Sequence, residues 1–456
     1  MQQIETQQTW SSKFVFLMAA IGAAVGLGNL WKFPYTAGVS GGAAFVLVYI
    51  CAVALVCVPL VMAELLIGRR GRKSPPGSFL ALARAASASP LWRLVGVLNI
   101  VAVFVIVSFY SVIAGWAIAY VPKIAVGTFT GSDGEHVSAI FDGLLASPWQ
   151  LAFWHGVFIT LTVLIVVRGL QGGIEKAVKF LMPALFLMLV LMVLYAAVAG
   201  NLARTLDFMF QADFSKITPQ VVLGAVGQAF FSVSVAMGLL ISYGSYLSRD
   251  VSITGAAVII AGADTLVALL AGLAIFPLVF GNGLDPAAGP GLLFVTLPLA
   301  FGHMPAGALF GTVFFLLVIV SALTSSIAIM EPIVAWADEH RGWRRSATTP
   351  LTGFLAWLVG LSTVFSFNIW KDVYPLGHFE TFAGKTLFDL QDYFASNIML
   401  LAGGILIALF VGWVLPKADA RDELDLPDSR VFRCWRFLLR YVCPLAIGGA
   451  LVSNLI

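Results

Sequence analysis

The chain has 456 residues, of which 60% are hydrophobic and only 11% charged, with a formal net charge of +3 and a mean hydropathy of +0.96. A soluble domain of this length needs far more charge to cover its surface, so composition indicates a polytopic helical membrane protein. Long unalternating apolar runs such as Phe180 to Val198 and Leu309 to Val320 exclude a transmembrane barrel.

In chain order, Met1 to Ser12 is polar and carries no signal-peptide pattern. Hydropathy and helix-breaking residues then predict eleven spans, at 13–37, 42–69, 88–123, 151–168, 175–198, 217–247, 253–281, 306–338, 347–366, 387–415 and 433–455. The Pro/Gly-rich stretch from Asp285 to Gly302 is too short for a span and reads as an external loop with a short helix. Arg69, Arg70, Arg72, Lys73, Arg84 and Arg93 crowd one loop; Arg168, Lys176 and Lys179, then Arg341, Arg344 and Arg345, then Lys417, Arg421, Arg430 and Arg433 mark others. The alternate loops are poorer in these residues, which places the N-terminus in the cytoplasm. An odd number of spans then puts the C-terminus outside. Cys51 and Cys57 lie about 9 Å apart along one helix, too far for a disulfide, and Cys434 and Cys443 both fall in the last span.

Two spans are flawed in the middle. The first contains Gly22-Ala23-Ala24-Val25-Gly26-Leu27-Gly28-Asn29, whose three glycines each weaken a helix by about 1 kcal/mol relative to alanine. The sixth contains Gln228-Ala229-Phe230-Phe231-Ser232-Val233-Ser234-Val235-Ala236-Met237-Gly238. Unwound backbone at bilayer depth is tolerated only where it lines a cavity or binds something. Gly22-x-x-x-Gly26 is also a helix-packing spacing, and serines in a span often bond a carbonyl one turn back. Breaks opening two five-helix halves, 13–198 and 217–415 with 433–455 additional, point instead to a midplane transport site between inverted repeats. The expected fold is therefore a single all-α membrane domain of two inverted five-helix repeats with broken helices 1 and 6, plus one C-terminal span.

Trp10, Gly22 to Asn29 followed by Trp31-Lys32-Phe33-Pro34-Tyr35, Gly227-Gln228-Ala229-Phe230-Phe231-Ser232 and Leu323-Thr324-Ser325-Ser326 resemble the neurotransmitter:sodium symporter family. The resemblance runs from Trp10 to the last span, and the eleven-span form is similar to bacterial amino-acid symporters of the inner membrane. It implies sodium-coupled symport by alternating access, with no organic cofactor and no nucleic-acid partner. One chain suffices for function and a dimer is allowed.

The resemblance implies two Na⁺ sites. One lies between spans one and eight, with carbonyls of Gly22, Val25 and Ser321 and hydroxyls of Thr324 and Ser325; packing is the other reading of those hydroxyls. The second adjoins the substrate and uses the Ala24 carbonyl, the Asn29 amide, Ser232 and Asp264. The family usually has Asn at that last position. A carboxylate at bilayer depth costs about 2.5–3.5 kcal/mol unless partnered, and a bound Na⁺ is an obvious partner. Bacterial relatives often place an acid one turn further on, which is Ala268 here. Asp264 is thus expected to supply the negative charge that chloride supplies elsewhere, making transport chloride-independent. Protonated Asp264 bonded to Ser232 is the rival state and would couple transport to protons.

Amine-carrying relatives hold the substrate ammonium with an Asp where this chain has Gly26. The substrate should therefore bring its own carboxylate, met by N–H groups near Leu27 and Gly28, while its ammonium would meet Ser232 and carbonyls of the unwound helices, with Ala24 and Gly26 in the same site, as for an α-amino acid. By resemblance the pocket wall is Ala23, Ile106, Tyr110, Phe231, Ser234, Met237, Ser325 and Ile329, with Tyr110 on the carboxylate and Phe231 as a lid. This apolar lining favours large aliphatic or aromatic side chains, and flexible Met237 accommodates varied shapes.

The expected outer gate is Lys32 with Asp392 beneath the Tyr110–Phe231 lid; relatives use Arg, and Lys loses its bidentate geometry. At the inner gate the family's N-terminal Arg falls at Gln7 and its acidic partner at Glu339, while Trp10 and Tyr246 remain and Lys13 is the nearest base. Glu64 and Glu331 read as structural or network residues. Gly173 and Pro183 frame a glycine-x9-proline pattern that lets span five unwind in similar symporters; Pro183 as a static kink is the alternative. A membrane enzyme finds no His-Glu-x-x-His or Gly-x-Ser-x-Gly motif among only 5 histidines. A channel would need a filter or symmetric subunits. A non-transporting amino-acid sensor on the same fold stays open.

Overall fold

A computed structural model of the chain describes residues 9–286 and 291–455, and among them only helices, turns and irregular connections occur. Nine helices among the described residues are long and apolar enough to cross a membrane: Ala43–Gly71, Pro90–Ala125, Pro148–Val166, Leu170–Ala199, Ile253–Gly281, Gly307–Arg341, Arg345–Ser366, Leu387–Val414 and Arg430–Leu455. Lys13–Ala24 and Gly28–Val39 form a bent pair that passes the same criteria together, with 49° between them. The sixth expected span comes as Pro219–Ser232 and Leu239–Ser245. At 1.5 Å per residue neither piece alone crosses about 30 Å of hydrocarbon. Within the expected 285–302 loop, Leu292–His303 is a short apolar helix, and 287–290 lie outside the described residues.

Gly307–Arg341 is the central helix. It packs against Arg93–Ala125, Glu175–Ala199, Lys13–Ala24, Pro148–Val166 and Arg345–Ser366. Small buried residues on it (Ser321, Ala322, Thr324, Ser325, Ser326 and Ala328) let neighbouring backbones approach, as helix association in lipid requires. The Ser326 and Thr162 hydroxyls meet at 3.1 Å across one of these seams.

Both glycine- and serine-containing flaws are real interruptions. After Ala24 the first helix leaves α geometry at Val25 (φ −70°, ψ 105°) and resumes at Gly28. In the second, backbone from Val233 to Gly238 includes left-handed residues at Ser234 (φ 56°) and Ala236 (φ 64°). Left-handed non-glycine residues cost of order 1–3 kcal/mol each and persist only where the surroundings hold them. Here Glu64 Oε1 accepts the Ala236 N–H at 2.7 Å, and the Asn99 side-chain amide donates to the Ala236 carbonyl at 2.5 Å. Glu64 and Asn99 are both fully buried, so the second and third spans staple the sixth open. Replacing Asn99 by Leu orphans that carbonyl, at a cost of about 1–3 kcal/mol. Asn99→Leu should therefore lower the thermal-unfolding midpoint of the detergent-purified protein, while Glu64→Gln, which keeps an acceptor for Ala236, should lower it less.

Candidate substrate and sodium site

The two interruptions face each other, and side chains from several spans close the space between them. Asn29 is the hub. Its Oδ1 accepts the freed Gly26 N–H at 3.0 Å, and its NH2 group donates to Ser232 Oγ at 3.0 Å and to Asp264 Oδ1 at 2.8 Å and carbonyl at 3.1 Å. Ser232 Oγ donates to Asp264 Oδ2 at 2.8 Å. The Tyr49 hydroxyl lies 3.0 Å from Ser232 Oγ and 3.3 Å from Asp264 Oδ2. Asp264 is fully buried, and no Lys, Arg or His among the described residues comes within ion-pair distance of it. Its neighbours are neutral donors. Tyr49 was not anticipated; a phenol in an otherwise apolar span was the available signal, since a buried tyrosine hydroxyl usually finds a partner.

A second oxygen cluster lies on the central helix. Ser325 Oγ donates towards the Val25 carbonyl at 3.0 Å and the Gly22 carbonyl at 3.3 Å. Ser321 Oγ reaches the same Val25 oxygen at 3.4 Å, and Thr324 Oγ1 reaches the Ser321 carbonyl at 2.9 Å. Glycine at 22 permits this approach: a Cβ there would stand 3.2 Å from Thr324 Cβ and 2.8 Å from Met182 Sδ of the fifth span. All five groups expected of this cation site are therefore drawn together.

Between the two clusters is a small cavity of about 20 Å³, lined by Ala24, Gly26, Leu27, Gly28, Ile106, Tyr110, Phe231, Ser234, Met237, Ser325 and Ile329. Two expected lining residues do not face it. Ala23 is buried with its carbonyl taken by Ser234 Oγ at 3.4 Å, and Ser232 turns towards Asp264. At Gly26 a Cβ would sit 2.6 Å from Ser325 Oγ and 3.0 Å from Tyr110 Oη, so no side chain fits there. The Leu27 N–H donates to Tyr110 Oη at 3.3 Å, and Gln228 Nε2 donates to the Gly28 carbonyl at 2.9 Å. The lining is apolar except for backbone groups and three hydroxyls, an arrangement suited to a small zwitterion with an apolar side chain.

Tyr110 and Phe231 also line an outer vestibule of about 50 Å³, together with Trp31, Lys32, Phe388 and Asp392. These two rings and Leu27 line both spaces and stand between vestibule and cavity. The direct Lys32–Asp392 pair is not formed: Lys32 Nζ lies 4.4 Å over the Phe231 ring, and Asp392 Oδ1 accepts from Ser396 at 2.7 Å. The flexible ammonium stem finds the electron-rich ring face instead.

Trp10 fills the opposite end, at the side expected to face inward. Its indole N–H donates to the Tyr243 carbonyl at 3.0 Å, its backbone N–H to the Tyr246 carbonyl at 3.3 Å, and its ring meets both tyrosines edge-on. Of the two acids near this plug, it is Glu331 that contacts Tyr246. Glu331 makes a forked pair with Arg345 through both Nη1 and Nη2 and accepts from Tyr246 Oη at 3.0 Å. Glu339 instead accepts the Ser74 N–H at 2.7 Å, ahead of the short helix Pro75–Ala85. Gln7 lies outside the described residues. Ser11 adds an unforeseen latch, its N–H and hydroxyl donating to the two oxygens of buried Glu175 at 2.8 and 2.6 Å. Gly173 abuts the Ile165 carbonyl, which a Cβ would approach to 2.0 Å. The fifth span is helical through Pro183 in this structure, so the stretch between Gly173 and Pro183 is not unwound here.

The sodium:neurotransmitter symporter family profile matches residues 7–132 and 135–456. The chain is 36% identical over 441 residues to YhdH of Bacillus subtilis, described as an uncharacterized sodium-dependent transporter, covering 96% of this chain and 95% of the relative. It is 35% identical over 457 residues to an uncharacterized sodium-dependent transporter of Haemophilus influenzae, covering 98% of each. Among solved structures, MhsT in complex with L-phenylalanine matches with a TM-score of 0.89 and 39% identity, covering 98% of this chain and 99% of that one. With family signature, length and fold all in agreement, the chain belongs to the sodium:neurotransmitter symporter family of sodium-dependent membrane transporters.

Proposed function

We propose that this transporter carries a large hydrophobic α-amino acid, aliphatic or aromatic, inward with Na⁺ by alternating access between two inverted five-helix repeats, 13–198 and 217–415, without needing chloride. The supporting observation is the apolar cavity bounded by both helix interruptions, with Leu27 and Gly28 beside the first break and Phe231, Met237 and Ile329 among its walls. Backbone donors beside the break suit the carboxylate, and carbonyls with Ser234 suit the ammonium. The L-phenylalanine held by MhsT supports the same substrate class.

Two sodium positions fit the oxygen clusters. At the first, Gly22, Val25, Ser321, Thr324 and Ser325 supply five oxygens without net charge. At the second, Na⁺ entry beside Ala24 exchanges the Asn29 NH2 bonds to Asp264 for direct contact between cation and carboxylate. The fixed negative charge of Asp264 then does the work of a bound anion. This reading orients the chain with its N-terminus in the cytoplasm, so Trp10 and the Glu331–Arg345 pair close the inner side.

In liposomes loaded without sodium, purified protein should accumulate radiolabelled leucine or phenylalanine when external sodium is added and not when choline replaces it. Sodium-independent uptake, or binding without accumulation, would overturn symport. Replacing chloride by gluconate should leave the rate unchanged. Asp264→Asn should weaken sodium activation at least tenfold, as loss of about 1.5–3 kcal/mol from a charged partner implies.

The gate assignment makes a separate prediction. Removing one member of a buried ion pair costs about 3–5 kcal/mol, whereas losing a helix-end acceptor costs about 1 kcal/mol. Glu331→Gln should therefore reduce uptake and thermal stability strongly, and Glu339→Gln only slightly; the reverse ranking would return Glu339 to the inner gate.

A further inference from the structure

We propose that Arg436 and Arg440, at the start of the last helix, bind the phosphate of an anionic phospholipid. Arg430–Leu455 opens with arginines at 430, 433, 436 and 440. At about 100° per residue these fall within a stripe roughly 120° wide. Like charges one turn apart repel, and no carboxylate offsets them: among the described residues none lies within 4.0 Å of Arg436 or Arg440. Four of the five acids of the preceding connection are engaged elsewhere. Glu423, Asp419 and Asp422 pair with Arg69 and Arg70, and Asp428 pairs with Lys417.

The second observation is an unmet demand for acceptors. Arg436 is only 9% exposed. Its Nη2 donates to the Leu415 carbonyl at 3.1 Å, while Nε and Nη1 are buried and meet no acceptor. Arg440 is half-buried, its Nε donating to the Gly412 carbonyl at 2.7 Å and its guanidinium lying 4.7 Å over the Trp413 ring. Neutral carbonyls at the end of Leu387–Val414 thus hold both guanidinium groups at the seam of two membrane helices, but leave both charges uncompensated. Exposed Trp413 and Tyr441 meet edge-on beside them, as aromatics do at headgroup depth. A phosphate there accepts from the planar forks in the geometry that guanidinium favours, and its lipid tails continue along the apolar helix. Basic pockets between helices at this depth are suited to anionic headgroups.

The test uses full-length protein in detergent, offered phosphatidylglycerol, phosphatidylcholine or inorganic phosphate alone, with retained ligand counted by native mass spectrometry. Phosphatidylglycerol should be retained over phosphatidylcholine. R440Q should lower that preference about fivefold, the effect expected for one interfacial arginine, and R436Q/R440Q should lower it further. R341Q/R344Q, which neutralises another basic loop, should leave it unchanged. Should R436Q/R440Q fail to fold, as its melting curve would reveal, R440Q alone decides. Equal retention of both lipids by the wild type overturns the proposal, as does unchanged preference in R440Q or an equal loss in R341Q/R344Q. Retention of inorganic phosphate without phosphatidylglycerol overturns the lipid assignment.

Discussion

Peptide groups released from a helix inside a bilayer have no water to turn to, so each must be met by another part of the protein. That requirement organises the centre of this molecule. At the first interruption, the Gly26 N–H goes to Asn29, the Leu27 N–H to Tyr110, the Gly28 carbonyl to Gln228 and the Val25 carbonyl to Ser325. At the second, both polar groups of Ala236 are taken by Glu64 and Asn99. Most of these partners come from other spans. A hydrogen bond made is worth about 1 kcal/mol net, while a buried group left unmade costs about 1–3 kcal/mol. The openings that create a binding surface therefore also fix the neighbouring helices around it.

Among the described residues, three acids within the spans have no exposed surface, Glu64, Asp264 and Glu331, and their surroundings differ. Glu331 has a guanidinium on both oxygens and is neutralised within the protein. Glu64 faces a backbone N–H of the second interruption and serves it. Asp264 is ringed by Asn29, Ser232 and Tyr49, neutral donors that stabilise a carboxylate without cancelling its charge. Under the proposed reading, that is the charge a sodium ion beside Ser232 would meet.

The interruptions could be read from the sequence because glycine and serine break an otherwise apolar run, a local signal. The lining of the cavity came from motif resemblance, and eleven of the thirteen substrate-pocket residues expected do line it. Pairings between distant segments were the part that could not be read. Ser11 and Glu175 are 164 positions apart, and Tyr49 is 215 from Asp264; only packing brings such pairs together. Glu331 and Arg345 are 14 apart, across one turn between helices, where an in-span acid and a base opening the next span offered a hint. Lys32 is matched to a carboxylate by the resemblance, but a flexible ammonium is also drawn to the face of a ring, and here it lies over Phe231.

The two barriers differ in construction. The one proposed to face outward is formed by Tyr110, Phe231 and Leu27, each touching the vestibule on one side and the cavity on the other. The one proposed to face inward is anchored by hydrogen bonds of the N-terminal segment. Any movement of the first helix towards an inward opening must release Trp10 from the carbonyls of Tyr243 and Tyr246 and Ser11 from Glu175. Glu175 stands two residues after Gly173, at the start of the Glu175–Ala199 helix. Releasing Ser11 therefore frees the beginning of the fifth span in the same step that frees the first. Met182 of that helix lies against Gly22 and Thr324, so disturbing it reaches the charge-neutral oxygen cluster before the one containing Asp264. On the proposed orientation, an opening that begins at the N-terminal latch would reach that charge-neutral cluster first.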